Sequence, residues 1–178
     1  MRHLSLAVAA LLTIASLHPR PALAQQPTLS DPLLDRMVGR WTLTGTIDDQ
    51  PTTHDVTAEW VLGHQYVHLH EVSREKGGNG DPQYQADIYV GWNGDAKQYA
   101  CVWLDVYGGI APGSLAQVAP SGDSIPFVFH HDATTSFHNT MTYDRRADSW
   151  TWRMDNDNAG QLSPFARLTL VRARPAAR

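Results

Sequence analysis

Along residues 84–105 the side chains change character at every second position. Tyr84, Ala86, Ile88, Val90 and Trp92 alternate with Gln85, Asp87, Tyr89 and Gly91, and Tyr99, Cys101 and Trp103 alternate with Ala100, Val102 and Leu104. A period of two belongs to a strand with two distinct faces. Between the runs stands Asn93-Gly94, a pair suited to the positive φ angles of a two-residue type I′ turn. The segment therefore predicts a hairpin of two long antiparallel strands. Large residues on both faces suit a sheet that curls around an interior.

The pattern recurs along the chain. Residues 40–48 set Trp41, Leu43 and Ile47 against Thr42, Thr44 and Thr46. Further strands are expected over 53–62, 65–75, 114–118, 124–131, 134–143, 149–154 and 165–172. Turns are expected at Asp49-Gln50-Pro51, Gly63-His64, Pro120-Ser121-Gly122-Asp123 and residues 156–160. Ser30-Asp31-Pro32 reads as a helix start, Leu33, Leu34 and Met37 form one apolar stripe, and Gly39 ends the helix. It is expected to plug or cover whatever the strands enclose. The whole reads as all-β: a single antiparallel up-and-down β-barrel of about ten strands with a short N-terminal helix. Strands do not alternate with helices, which disfavours a parallel sheet. A sandwich is the competing arrangement, and the predominance of local hairpins favours the barrel.

The first residues change the address. Met1-Arg2-His3 is a basic start, residues 4–17 are an apolar run, and Pro19, Pro21 and Ala22-Leu23-Ala24 follow. This predicts a secretory signal over residues 1–24; the run is shorter than the ~20 residues that span a bilayer. The expected product is exported, periplasmic or secreted, with the barrel over 25–172, a disordered tail over 173–178 and no transmembrane segment. The formal net charge of the chain is −4, and loss of Arg2 and Arg20 would make it more acidic. With no basic cluster, nucleic acid and anionic lipid are not expected partners. Cys101 is the only cysteine, so stability must come from the core rather than a disulfide. Mid-strand, it reads as a small buried hydrophobe.

Several motifs together resemble a known group. Gly39-Arg40-Trp41 after a short helix is similar to the Gly-x-Trp opening of calycin barrels such as lipocalins. Leu62-Gly63-His64-Gln65-Tyr66-Val67, Gly91-Trp92-Asn93 with Trp103-Leu104-Asp105, and the closing Leu168-Thr169-Leu170-Val171-Arg172 resemble a lipocalin-like bacterial family catalogued as a domain of unknown function. Trp92-Asn93 stands where that family usually has Tyr-Asp, and His64 where it often has a second Gly. The resemblance implies a β-barrel able to hold a small molecule and supplies no catalytic residue. The proline-rich motifs of haem-binding relatives are absent, so haem is not carried over.

Two constellations could carry chemistry. With a two-residue turn at Gly63-His64, Glu59 pairs with His68, and His68 and His70 project from one side about 7 Å apart. Two strand histidines with a carboxylate make a workable first shell for zinc, iron or manganese. The opposite face, with Val56, Ala58, Trp60, Val67, Leu69 and Glu71, is the more obvious inward one. In the second group, His138 meets His130 or His131 according to loop length, beside Phe127, Phe129 and Phe137. If Glu71, Asp87 or Asp105 points inward, burial would raise its pKa, and the expected partner is an arginine such as Arg40 or Arg153.

The six tryptophans serve the core first, and their surplus suits a flat apolar ligand. The reading is thus an exported protein that binds a small apolar or amphipathic molecule. Its candidate pocket is walled by Trp41, Trp60, Trp103, Phe127 and Phe129, with His138 as the polar group. One alternative is a metal-dependent hydrolase or oxygenase using His68, His70 and Glu59. Another is a structural or interaction module of the cell envelope with a filled barrel and an exposed apolar patch. No cofactor is expected outside the metal alternative, and no catalytic residue is assigned.

Overall fold

The computed structural model describes residues 28–119 and 121–174; the leader expected at 1–24 lies outside them. Helix α1 (Pro32–Met37) is followed by β1 (Gly39–Ile47), β2 (Gln50–Val61), β3 (Tyr66–Ser73), β4 (Gln85–Asn93) and β5 (Gln98–Asp105). A 3₁₀ turn (Pro112–Ser114) leads to β6 (Leu115–Val118), β7 (Ser124–His130), β8 (Thr135–Asp144), β9 (Ser149–Asn158) and β10 (Gln161–Arg172). All ten strands form one antiparallel sheet in the order β6-β5-β4-β3-β2-β1-β10-β9-β8-β7. Each strand pairs with its chain neighbour except β6 with β7, and β1 pairs with β10, so the two ends of the chain meet inside the sheet. The seam of this nearly closed barrel lies between β6 and β7, which adjoin without ladder pairing. Pro126 sits in β7, a strand with one ladder neighbour, where a missing N–H is tolerated.

The period of two sets which residues enter the core. Trp41 and Leu43 of β1, Val56 and Ala58 of β2, Val67 and Leu69 of β3, Ile88 and Val90 of β4, and Leu168 and Leu170 of β10 are all buried. Register agrees: Val90 faces Cys101, Ile88 faces Trp103, and Trp41 faces Val56.

Several turns differ from the expectation. The reversal before β2 falls at Asp48-Asp49, both at positive φ, with Gln50 and Pro51 already in strand, and β2 and β3 are joined by a four-residue loop, residues 62–65, that keeps Glu59 opposite His68. The β4–β5 connection is a four-residue loop, residues 94–97, with Asn93 paired to Gln98. Its positive φ falls on Lys97 rather than on Asn93 or Gly94, and the Asn93 side chain accepts from the Ala96 N–H at 3.1 Å. Asn93 acts through its side chain, which stabilises a turn two residues longer. Residues 156–158, expected in a turn, are strand; the reversal falls at Ala159-Gly160, both at positive φ. Polar composition hid the strand there, and a register shift between Pro164 and Ala166 accommodates the proline of β10.

Helix α1 is too short to be stable alone. Asp31 caps it, accepting from the Leu33 and Leu34 N–H groups at 2.8 and 2.9 Å, and accepts the Tyr99 hydroxyl at 2.7 Å. Leu34 and Met37 enter the core. The carbonyls at its C-terminal end, which lack helical partners, are taken by strand side chains. Trp41 Nε1 donates to Met37 O at 2.7 Å, Trp150 Nε1 to Arg36 O at 3.3 Å, and Arg172 Nη1 to Val38 O at 2.6 Å. The Arg172 guanidinium also lies over the Trp41 ring, 3.7 Å from its centroid. The helix thereby closes one end of the barrel. At the C-terminus the Ala173 N–H donates to Arg40 O at 2.8 Å, and the last four residues of the expected tail lie outside the described ones.

Candidate functional site

Toward the end opposite α1 the interior is hollow. A cavity of about 430 Å³ is lined by the late residues of β1, β3, β5 and β7, the start of β8, the middle of β9 and β10, and the loop between β5 and β6. Trp103, Phe129, Phe137 and Phe165 supply aromatic wall. The rim is wet: Tyr107 is 81% exposed, and His131, on the loop after β7, is exposed as well.

One wall is polar. His54 on β2 lies opposite Ser73, and Val56 lies opposite Glu71, so His54 and Glu71 are diagonal neighbours on the inward face. His54 Nδ1 is bonded to Glu71 Oε1, and both side chains are almost wholly buried, 2% and 3% exposed. His54 Nε2 is 2.7 Å from the Thr52 hydroxyl, which donates to Glu75 Oε2 at 3.1 Å. Glu75 is half-buried. Burial pushes its carboxyl up, but its own backbone N–H, the Thr53 N–H and the Thr52 hydroxyl outweigh that and hold it below the ordinary carboxylate value.

With Glu75 ionised, the single Thr52 proton goes to it, so His54 Nε2 must donate to the Thr52 oxygen. One further proton joins His54 Nδ1 to Glu71 Oε1, whichever atom carries it. In either arrangement Glu71 Oε2 is an acceptor. It is buried, it has no hydrogen-bond partner among the described residues, and Glu71 lines the cavity.

Tyr84 completes this wall. Its ring stacks on His54 with centroids 5.7 Å apart, and its hydroxyl accepts Trp103 Nε1 at 3.0 Å. Burial, followed by the negative charge of Glu71, drives its pKa upward, so the phenol keeps its proton and can donate it. Asp105 and Tyr107 stand nearer the mouth, where Asp105 Oδ1 accepts the Tyr107 N–H at 3.0 Å.

The expected pocket residues are dispersed. Trp103 and Phe129 line the cavity. Phe127 is wholly buried two residues deeper in β7, and Trp41 is buried against α1. Trp60 is half-buried; it donates to Asp35 at 2.9 Å and stacks on His64 at 4.1 Å. His138 stands opposite Val128 and beside Ser136 and Asp157, on the outer face. Phe129 pairs with Phe137, so His131 rather than His138 reaches the cavity.

The inward carboxylate pairs with a histidine, not with Arg40 or Arg153; Arg153 binds Asp155 at 2.8 Å. His54 and Tyr84 carry this wall without having been expected to. Extending the inward period of β2 one step beyond Val56 reaches His54, and Tyr84 opens the inward run of β4.

On the outer face His68 Nε2 and His70 Nδ1 each lie 2.8 Å from Asp87 Oδ1. These three donor groups lie within 4.8 Å of one another. Glu59 is opposite His68 in register, but the acid that joins the histidines is Asp87, from β4. Burial raises the Asp87 pKa, while hydrogen bonds from His70 and His68 lower it further, leaving it below its ordinary value. Cys101 is fully buried, and burial pushes its thiol pKa up. It is not poised as a nucleophile.

No protein-family model matches the chain, and no curated protein matches it. Among solved structures it is similar to one titled "Crystal Structure of Rv2717c from M. tuberculosis", at 15% identity and a TM-score of 0.51, covering 81% of this chain and 99% of that one. At that identity the likeness shows the fold alone. Among the described residues no helix is long and apolar enough to cross a membrane. What the chain and its structural neighbour share is the barrel.

Proposed function

We propose that this chain is an exported, lipocalin-like binding protein that takes a small apolar or amphipathic molecule into the open end of its barrel. One observation carries the reading: a cavity of about 430 Å³, walled by aromatic rings, with a single buried acceptor facing no partner. Small-molecule sites have this character, mostly apolar with a few placed polar groups, and lie within the usual size range of ~300–1,000 Å³. The structural-module reading expects a filled interior, and the cavity weighs against it.

The test is titration with N-phenyl-1-naphthylamine, a neutral fluorescent probe. Saturable enhancement at one site is expected. Phe165→Arg, at the half-buried rim, should abolish it while circular dichroism and the melting curve stay native. Absence of saturable enhancement would end the binding reading.

A second reading, of divalent-metal binding, is favoured by the His68, His70 and Asp87 donor set. Three protein ligands leave a coordination position open on zinc. The trio lies on the outer face, apart from the cavity lining, so it is read as a separate site. Calorimetric titration with zinc should show one site that His70→Ala removes; no heat above the buffer blank would dismiss it.

A further inference from the structure

The polar wall of the cavity says more than that something binds; it limits the head group. We propose that the cavity selects an organic cation, a protonated primary or secondary amine on a small flat or aliphatic body, with its N–H groups on Glu71. The inference rests on the binding reading and deepens it.

Three observations converge. The first is the hydrogen-bond count. Proton placement along Glu75, Thr52, His54 and Glu71 leaves Glu71 Oε2 as an acceptor in both arrangements of the shared proton, and that atom is buried without a partner among the described residues. A ligand satisfies it only by donating.

The second is charge. The His54–Glu71 pair is neutral as a unit, so with ionised Glu75 the four-residue chain carries one net negative charge. Asp105 stands at the same cavity, and among the described residues no lysine or arginine lines it; the imidazole of His131 at the rim is the only basic group of those residues there. An anionic head group would meet carboxylates and only the rim imidazole of His131 to answer it, while a cation gains a charge-assisted hydrogen bond.

The third is the surface around the acceptor. Tyr84, Trp103, Tyr107 and Phe129 offer aromatic rings to the same space, and ring faces attract ammonium groups once water is displaced. The Tyr84 hydroxyl is occupied as an acceptor by Trp103, which leaves its proton for a neutral acceptor elsewhere on the ligand.

The experiment is calorimetric titration of the intact protein with three probes sharing one ring: 1-naphthylmethylamine, 1-naphthylmethanol and 1-naphthoate. The amine is expected to bind at least about tenfold tighter than the alcohol, a difference within reach of one charge-assisted contact, with naphthoate weakest. Glu71→Gln should bring amine affinity down to that of the alcohol. Because this change disturbs a buried pair, Asp105→Asn provides a second arm that leaves the pair intact, and it should narrow the gap between amine and alcohol.

Equal or tighter binding of the alcohol or naphthoate overturns the proposal. So does a full amine preference in folded Glu71→Gln or, should that variant fail to fold, in Asp105→Asn. Saturable binding of N-phenyl-1-naphthylamine without amine preference would sink the head-group inference alone. Failure of that probe and of all three naphthyl compounds would sink the binding reading with it.

Discussion

Breaking the His54–Glu71 pair from one side should be far more damaging than removing it altogether. His54→Leu leaves the Glu71 carboxyl buried with neither oxygen partnered, because Oε2 already has none. Glu71→Met likewise leaves the His54 Nδ1 position facing a thioether. The side chains are 2% and 3% exposed, so solvent cannot screen the loss, and each single change should cost about 3–5 kcal/mol. Against a typical domain stability of ~5–15 kcal/mol, that is from about a fifth of the total to all of it. The double variant His54→Leu/Glu71→Met replaces two buried polar groups by apolar ones of comparable size and should return to within about 2 kcal/mol of wild type, or exceed it. The coupling in the double-mutant cycle is therefore several kcal/mol, well beyond the ~0.5 kcal/mol expected of independent sites. Urea unfolding followed by tryptophan fluorescence and far-ultraviolet circular dichroism gives all four stabilities. Single losses below about 1 kcal/mol, or a double loss equal to the sum of the singles, would refute the reasoning and remove the physical basis for an acceptor at Glu71 Oε2.

Other expectations follow from single observations. Asn139 is wholly buried and neither amide atom has a partner among the described residues, so isosteric Asn139→Leu should raise the urea midpoint by removing a penalty of about 1–3 kcal/mol; a lowered midpoint would mean that a bound molecule satisfies the amide. Gly45 in β1 has a φ of +150°, and a Cβ there would press onto the Arg167 carbonyl oxygen of β10. Gly45→Ala should therefore cost more than about 1 kcal/mol, and an unchanged melting temperature would contradict this account of the β1–β10 junction.

Acid should weaken the fold. The side-chain hydrogen bond from Arg74 holds Asp55 below its ordinary 3.8, that from Arg145 does so for Asp123, and those from Arg172 and Tyr143 for Asp148. Because the folded values are depressed, their stabilisation is complete above about pH 4 and is lost as pH falls through the folded values. Melting temperature should stay level from about pH 7 to 5 and decline below about 4; a rise below pH 4 would contradict it. Fully buried Cys101 should resist a thiol reagent in the native protein and react after unfolding, and fast native labelling would show the barrel opening.

Much of this architecture was legible because one face of nearly every strand is apolar. Trp41 with Leu43, Val67 with Leu69, and Ile88 with Val90 repeat the period of two, and that alone aims them inward. Turns were less legible, because they depend on which atoms of a residue do the work. Asn93-Gly94 favours positive φ, yet Asn93 spends its side chain on Ala96, and Lys97 takes the left-handed position. The donor set on the outer face was half visible: His68 and His70 share a side by spacing, but Asp87 joins them from β4, a strand separated by a glycine-rich loop.

The cavity wall was least legible, for a physical reason. Read strand by strand, His54 in β2 and Glu71 in β3 are two violations of an apolar face, and each alone predicts a cost. Only the register, with His54 opposite Ser73 and Val56 opposite Glu71, shows that the violations are diagonal neighbours that answer each other. Pairing removes most of the cost but not all of it, since a carboxylate has two oxygens and a histidine on one side satisfies one. The residual demand of Glu71 Oε2 has no remedy within the described wall. Glu71 lines the cavity, which is where an unanswered acceptor can be met from outside the chain. Departures from local consistency tend to collect where function does. Here His54 and Glu71 stand together on one wall of one cavity, apart from the buried Asn139 amide, while the helix-closed end of the same barrel satisfies its carbonyls with indoles and a guanidinium.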